Sequence, residues 1–190
     1  MNFSIQTIAV MTTTLLAAGT GVAGVDESPA TNAPSRIELH DQYDAPQILS
    51  FPTTNITVLT IADRKGSEQV DGWIAVLKPR YAGRIELRGL ADVRGVPWFL
   101  RGKIGKRFQE TRQYPVMMDW SGKVCAQLGY QQGLANILIL DHRGNVLGRF
   151  TGDAVETKRT AAFNLIDQAL SPPKPAPAVS TAKSSTGLNP

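Results

Sequence analysis

The segment Ile56–Ala62 and the helical pattern after it limit most strongly how this chain can fold. Ile56–Ala62 is apolar and rich in β-branched residues, which is typical of a strand buried on both faces. Four apolar residues then recur at helical spacing and form one stripe: Val70, Trp73, Ile74 and Leu77. We expect Gly66 and Ser67 to form the connecting turn, with Ser67 as the N-cap, and Pro79 to end the helix. This strand–turn–helix unit is typical of an α/β protein.

The rest of the domain continues this alternation of strands and helices. Further strands are predicted at 47–51, 84–90, 116–118, 137–140 and 146–150. Further helices are predicted from Pro97 onwards, from Ser121 to Leu128, and along the stripe formed by Ala162, Leu165, Ile166 and Ala169. The turn cluster 141–145 joins the last two strands as a hairpin. The order predicts an α/β layer fold with a mixed sheet.

The two ends of the chain differ from the segment between them. Residues 1–24 contain no charged side chain, and an apolar run followed by small residues predicts a secretory signal peptide cleaved after Ala23 or Gly24. Residues 171–190 hold five prolines, two lysines and no acid, which predicts a solvated Pro/Ala/Ser-rich tail. Residues 25–170 are enough for one domain. We therefore expect a periplasmic or secreted protein.

Later segments resemble the thioredoxin-like superfamily, nearest its redoxin and peroxiredoxin-like branch. Residues 136–152 match the family's strand, Asp-x-x-Gly turn, strand and closing glycine, and residues 118–129 match the short segment before it. The unit 56–78 is similar to the one that carries the family's redox site. The resemblance covers roughly residues 38–170. It implies a three-layer α/β fold with a central mixed sheet.

The chain departs from this family at both halves of the redox site. The redox loop would align with residues 63–69, which contain no cysteine. The family's cis-proline would align with Ala135, where a cis peptide would cost about 2.5–4 kcal/mol, so a trans peptide is expected. Without a thiolate the loop has no nucleophile for disulfide exchange or peroxide reduction. The resemblance therefore implies the fold and argues against the family's activity.

Cys125, the single cysteine, leaves two interpretations open. It could be the reactive thiol of a one-cysteine peroxidase or reductase. It could instead be a small buried hydrophobe on a short helix, since its sequence neighbours Val124, Ala126 and Leu128 are mostly apolar. We favour the second interpretation. A low thiol pKa needs a helix N-terminus or cationic neighbours, and Cys125 lies several residues beyond Ser121.

Other residues offer weaker signals for chemistry. Ser67 with Arg64 and Lys65 could bind an anion, although capping is the ordinary role of serine at that position. His40 and His142 lie far apart in the sequence, so we predict no metal site and no cofactor. Residues 78–112 contain ten Lys or Arg against three acids. That segment could meet an anionic surface or form a solvated face, and we expect no nucleic-acid partner.

The sequence as a whole predicts a thioredoxin-like domain that acts as a binding or accessory module without redox catalysis. Its partner is expected to be a protein or peptide held in a groove. Seven residues are the candidates for that groove: Asp63, Arg64, Lys65, Gly66, Ser67, Trp73 and Ala135. The alternative function is a single-cysteine thiol peroxidase or reductase that uses Cys125.

Overall fold

Five strands form a mixed sheet and two more form a separate hairpin in the computed structural model, which describes residues 32–171. The strands are β1 (Arg36–His40), β2 (Pro46–Ser50), β3 (Ile56–Ala62), β4 (Ile85–Asp92), β5 (Val116–Asp119), β6 (Asn136–Leu140) and β7 (Val146–Thr151). The helices are α1 (Ser67–Tyr81), α2 (Arg101–Thr111), α3 (Lys123–Gln127) and α4 (Glu156–Leu170), and a 3-10 turn at Trp98–Leu100 precedes α2. The predicted signal peptide and the tail after residue 171 lie outside the described residues.

The sheet has the order β5-β4-β3-β6-β7, so β3 and the strands beside it form its centre. β3 pairs in parallel with β4, which pairs in parallel with β5. On its other side β3 pairs antiparallel with β6, and β6 forms a hairpin with β7. The predicted mixed sheet is confirmed. The hairpin turn at 141–145 is confirmed as well, since Asp141 accepts the Arg143 and Asn145 N–H groups.

Alternate residues of β3 and β6 enter different hydrophobic clusters. Val58 of β3 lies opposite Ile139 of β6, and both belong to the cluster that α1 and α4 cover. Leu59 lies opposite Leu138, and both belong to the cluster on the other side of the sheet, with the β1–β2 hairpin and α3. Every residue of β3 is buried, which confirms the prediction of a strand covered on both faces. The structure therefore has three layers.

α2 covers a third, smaller cluster on β4 and β5. Ile104 and Phe108 of α2 pack against buried residues of this cluster, among them Val116 and Met118. No residue of α2 is itself fully buried. This helix therefore rests on the sheet with one face and leaves the other to solvent. Within residues 32–171, no helix combines the length and the apolar character needed to cross a membrane.

The buried amide side chain of Gln42 closes the outer edge of β5. Its Nε2–H donates to the Tyr114 carbonyl at 2.9 Å, and its Oε1 accepts the Val116 N–H at 2.8 Å. Asp41, the residue before it, forms an isolated bridge with Met117. The turn between β1 and β2 thus pairs with backbone groups that an edge strand would otherwise leave open.

Three sequence predictions about local structure, at Pro79, Ser67 and Ser121, were wrong. One strand, β1, was not predicted at all. Pro79 does not end α1, which continues to Tyr81, because Tyr81 is buried in the core and its hydroxyl donates to the Phe163 carbonyl. Ser67 is not the N-cap of α1; Gly66 occupies that position and the Ser67 hydroxyl donates to the Arg64 carbonyl. Ser121 likewise precedes Gly122, which is the N-cap of α3.

Candidate functional site

A cleft of about 520 Å³ opens at the carboxyl ends of β3 and β4. At β3 the sheet changes from parallel to antiparallel pairing, so the connections diverge and leave a crevice, which is where open α/β sheets commonly bind ligands. The residues that line it come from three loops: Asp63, Arg64 and Lys65; Asp92, Val93, Arg94, Gly95 and Val96; Gln132 and Gly133. Three of the seven sequence candidates, Asp63 to Lys65, are therefore at the cleft.

Asp63 holds two walls of the cleft together through its carboxylate. Its Oδ1 accepts the N–H groups of Lys65 and Gly66 at 2.8 and 3.0 Å, and its Oδ2 accepts the Gly133 N–H at 2.9 Å. Partial burial opposes ionisation, but these hydrogen bonds outweigh it and hold the pKa of Asp63 below its ordinary value. Asp63 is thus an ionised positioning residue whose oxygens are already engaged.

The Tyr130 hydroxyl is buried close to the Asp63 carboxylate. No hydrogen-bond partner of normal geometry satisfies it within the described residues. Burial, and then the negative charge of Asp63, raise the pKa of Tyr130 above its ordinary value. The phenol therefore stays protonated at neutral pH. It adds no second charge beside Asp63.

The buried side chain of Asn136 shapes the third wall. Its Nδ2–H donates to the carbonyls of Gln131 and Leu134 at 2.9 and 3.0 Å, and its Oδ1 accepts the Gln131 N–H at 2.9 Å. These bonds fold residues 131–134 into a compact loop before β6. Gly133 is consequently presented to Asp63 from a fixed position.

Gly66 lies against the backbone of residues 134–135 with no room for a side chain. A Cβ at this position would lie 2.4 Å from the Leu134 carbonyl carbon and 2.7 Å from the Ala135 nitrogen. The Ala135 N–H donates to Gln69 Oε1 at 2.9 Å. The turn at residues 63–66 is therefore packed directly on the backbone of residues 134–135. The described cis peptide is Phe51–Pro52, so Ala135 follows a trans peptide, as predicted.

Trp73 and Ala135 do not line a groove, contrary to the sequence prediction. Both are fully buried. The Trp73 indole N–H donates to the Gly152 carbonyl at 2.9 Å, and its ring lies 5.6 Å from that of Phe150. The geometry of α1 directs the Trp73 side chain inward, into the cluster that α1 and α4 cover. Gly66 and Ala135 lie against each other, and neither is among the residues that line the cleft.

The net charge of the cleft lining is positive, because Arg64, Lys65 and Arg94 outnumber Asp63 and Asp92. Arg64 and Lys65 are exposed, and within the described residues neither makes an ion pair. Arg94 differs, because its guanidinium binds the buried Asp92 carboxylate, with Nη2–Oδ2 at 2.7 Å and Nε–Oδ2 at 2.9 Å. An anionic group entering the cleft would therefore meet Arg64 and Lys65.

Sequence reasoning missed Asp92, Arg94 and the loop 131–134. A signal was available, since aspartates end three neighbouring parallel strands: Asp63 follows β3, while Asp92 and Asp119 end β4 and β5. The carboxyl ends of parallel strands meet at one edge of a sheet. These carboxylates are nevertheless satisfied separately, and within residues 32–171 no three acidic, histidine or cysteine side chains are grouped closely enough to hold a metal ion.

Cys125 is fully buried in the cluster beneath the β1–β2 hairpin. Burial, followed by the charges of Asp119 and Asp92, raises the pKa of the Cys125 thiol far above its ordinary value. The expectation that Cys125 is a small buried hydrophobe is confirmed. The thiolate needed for nucleophilic chemistry is disfavoured at this position.

Asp119 organises the backbone around Cys125. Its Oδ1 accepts the N–H and hydroxyl of Ser121 and the N–H of Gly122, and its Oδ2 accepts the Cys125 N–H at 2.9 Å. Burial works against ionisation, but the Cys125 N–H and the other donors prevail and lower the pKa of Asp119. The carboxylate, rather than Ser121, supplies most of the acceptors at the start of α3.

A second cleft, of about 840 Å³, lies between the β1–β2 turn and α2. Arg101 and Lys106 line one side, and Asp41 and Asp44 line the other. Asp44 binds the His40 imidazole, with Nδ1–Oδ1 at 2.8 Å. Asp119 also lines this cleft, so three carboxylates lie against two cations and its net charge is negative, opposite in sign to that of the cleft at β3.

Solved structures with a similar fold include thiol–disulfide proteins of bacteria. A thiol:disulfide interchange protein of the thioredoxin family from Chlorobium tepidum TLS is 15% identical, over 76% of this chain and 99% of its own, with a TM-score of 0.54. A DsbF homologue from Corynebacterium diphtheriae is 18% identical, over 83% and 99%, with a TM-score of 0.54. The exposed lipoprotein thioredoxin Etrx1 from Streptococcus pneumoniae strain TIGR4 is 14% identical, over 70% and 98%, with a TM-score of 0.52.

These similarities establish a thioredoxin-like fold, which confirms the fold predicted from the sequence. At such low identity they extend to the fold alone. No family model matches the chain, and no curated protein matches it.

Asp119→Asn is expected to lower the free energy of unfolding by about 2–4 kcal/mol, because an amide NH₂ would face backbone donors in a buried site. The folded-state pKa lies below the unfolded value of about 3.9, so ionised Asp119 stabilises the protein above that pH. This stabilisation is lost as pH falls through the folded-state pKa. Urea titrations from pH 7 to pH 2 should show the two proteins converging. The exposed variant Asp153→Asn is the control, and its free energy of unfolding should stay close to that of the original protein at every pH. A difference in stability between Asp119→Asn and the original protein that stays constant at all pH values would contradict the assignment.

Gly66→Ala is expected to destabilise the protein by about 1–3 kcal/mol, because the added methyl would overlap the backbone of residues 134–135. Gly72→Ala in the same helix is the matched control. Its Cβ would lie 3.9 Å from that of Ala154, so helix propensity should stabilise the fold by about 1 kcal/mol. Thermal and urea unfolding of both variants measure the contrast, and equal effects would rule out the close approach at residue 66.

Proposed function

We propose that this chain is a thioredoxin-like binding or accessory module that holds an acidic protein or peptide segment at the β3–β4 cleft and performs no thiol redox catalysis. The observation that carries the proposal is the turn at 63–66, which places exposed Arg64 and Lys65 at the cleft. In the related redox proteins a cysteine is expected at this turn. Two cationic side chains, Arg64 and Lys65, therefore lie at the turn where a nucleophile would be expected.

The state of Cys125 supports the non-catalytic part of the proposal. Disulfide exchange and peroxide reduction begin with attack by an accessible thiolate. Cys125 is buried, its pKa is raised, and the sequence holds no second cysteine to resolve a mixed disulfide. The single-cysteine enzyme would need this region to open before each turnover.

The charges at the cleft favour an acidic partner. The carboxylates of Asp63 and Asp92 are occupied by backbone N–H groups and by Arg94, whereas Arg64 and Lys65 lack ion-pair partners among the described residues. Bringing an anionic group to these two cations gains Coulomb energy with little loss of existing contacts. An extended segment with Asp or Glu side chains fits this requirement.

We also propose that the protein is exported to the periplasm or secreted. The uncharged, apolar residues 1–24 carry this part of the proposal. One protein of similar fold is described as an exposed lipoprotein thioredoxin, which is consistent with such a location. Binding would then take place outside the cytoplasm.

Thiol chemistry is tested by comparing the protein with its Cys125→Ser variant. We expect no insulin-disulfide reduction and no peroxide consumption above background in either protein, and slow labelling of Cys125 by a thiol reagent until the protein is unfolded. Activity that is present in the original protein and lost in Cys125→Ser would overturn the proposal in favour of the single-cysteine enzyme.

Peptide binding is tested with a displayed library of random peptides and the isothermal titration of those selected. We expect acidic sequences, with affinity that falls at least about tenfold in Arg64→Gln/Lys65→Gln and weakens steeply with salt. Lys78→Gln/Arg84→Gln is the control, because it removes the same charge from exposed residues. Lys78 lies about 16 Å from the start of α1 along its axis. Selection of no peptide, or equal loss in both variants, would count against the cleft.

A further inference from the structure

α2 has a cationic face in addition to the face that packs on the sheet. Ile104 and Phe108, one turn apart, contact the cluster on β4 and β5. Lys103, Lys106 and Arg107 lie on the exposed remainder of the helix surface at spacings of three and four, so they are neighbours there, and Lys106 also borders the second cleft. All three are exposed, and none forms an ion pair within residues 32–171. One acid, Glu110, shares the helix with them.

The 3-10 turn before α2 exposes three large apolar side chains in a row. Trp98 is 79% exposed, Phe99 66% and Leu100 38%. The rings of Trp98 and Phe99 meet edge to face with centroids 6.0 Å apart, so they form one protruding patch. A contiguous apolar patch of this kind on a soluble domain marks an interaction surface.

We propose that the Trp98–Leu100 turn and the cationic face of α2 dock the protein on an anionic phospholipid surface. The aromatic rings would lie at the level of the headgroups, where Trp is enriched, while Lys103, Lys106 and Arg107 meet the lipid phosphates. This surface is separate from the binding function proposed for the β3–β4 cleft and does not depend on it.

Two features favour a lipid surface over an acidic protein. Side chains as exposed as Trp98 and Phe99 protrude from the fold and do not line a groove that could receive a partner's side chains. Two of the three cations are lysines, a residue that is depleted in protein–protein interfaces but common in segments that bind anionic membranes. The net charge of the patch is positive, three cations against Glu110, and is complementary to anionic headgroups.

Docking in this way would also orient the cleft. The loop 92–96 lines the cleft and leads directly through Pro97 into the Trp98–Leu100 turn. A protein held by this turn would therefore present the cleft beside the membrane surface. Partners anchored in the same membrane would meet it at a raised local concentration.

The test is co-sedimentation of the full chain with vesicles of phosphatidylcholine alone or mixed with phosphatidylglycerol. We expect binding to the mixed vesicles that weakens with salt. Lys103→Gln/Lys106→Gln/Arg107→Gln should reduce it about a hundredfold, since each cation near the surface contributes about fivefold. Trp98→Ser/Phe99→Ser should reduce it further. Trp98→Phe should keep most of the binding but lose the blue shift of tryptophan emission.

The control variant is Lys78→Gln/Arg84→Gln/Arg143→Gln, which removes the same charge from exposed residues outside α2. Like the other variants, it keeps the N-terminal segment, so any contribution of that segment to vesicle binding is present in every protein compared. Circular dichroism and urea midpoints should be unchanged in the glutamine variants, because every replaced residue is exposed and Gln is a good helix former within α1 and α2. Equal binding to both vesicle types, or an equal loss in the control, would overturn the proposal. Binding of polyglutamate through Lys103, Lys106 and Arg107 without vesicle binding would replace the lipid with an acidic polypeptide.

Discussion

The burial of both faces of β3 and β6 is the constraint on which the rest of this structure depends. All residues of the two strands are buried, and successive side chains enter opposite clusters. A two-layer fold would leave one face of each strand exposed to solvent, so both faces of the sheet must be covered. The chain must supply α1 and α4 for one face and the β1–β2 hairpin with α3 for the other. The positions of the loops at the end of β3 follow from these layers.

Aspartates at the ends of the three parallel strands fix the loops at that edge of the sheet by hydrogen bonds and an ion pair. Asp63 binds the turn before α1 to Gly133, Asp92 holds Arg94, and Asp119 shapes the start of α3. Each buried or half-buried carboxylate is satisfied by donors that approach from its own loop or from the next one. Because these carboxylate oxygens are already hydrogen-bonded, Arg64 and Lys65 are the exposed groups at the cleft that remain available to a ligand, and the net charge of the lining is positive.

The two proposed surfaces differ in the chemistry that would recognise them. The β3–β4 cleft is concave and positions two cations over a rigid floor, which suits a short acidic segment of polypeptide. The turn Trp98–Leu100 with the outer face of α2 is protruding, aromatic and cationic, which suits a fluid anionic surface. They are joined by the loop 92–96. A module that binds partners at one surface and lies on a membrane with the other would use both.

Local patterns in the sequence were sufficient for much of the fold. The bounds of β3, the hairpin at 141–145 and the inner residues of α4, such as Ile166, could be predicted because strand and helix periods are visible within a few residues. β1 was missed, since its burial depends on β2 and on the sheet beneath it. Pro79 was expected to end α1, but the helix continues for two more residues to Tyr81, which packs in the core.

Some features of the candidate site likewise follow from the sequence, whereas others appear only in the folded structure. The sequence by itself determined that residues 63–69 contain no nucleophile, that Arg64 and Lys65 follow a buried strand, and that Cys125 has apolar neighbours, because these are properties of residue identity and order. The tertiary structure alone decided that Trp73 and Ala135 are buried and that Gly66 rests on residues 134–135. These features depend on contacts between segments far apart in the sequence, such as Trp73 with Gly152 and Gln69 with Ala135, or on the direction of a side chain from its helix. Neither can be derived from spacing along the chain.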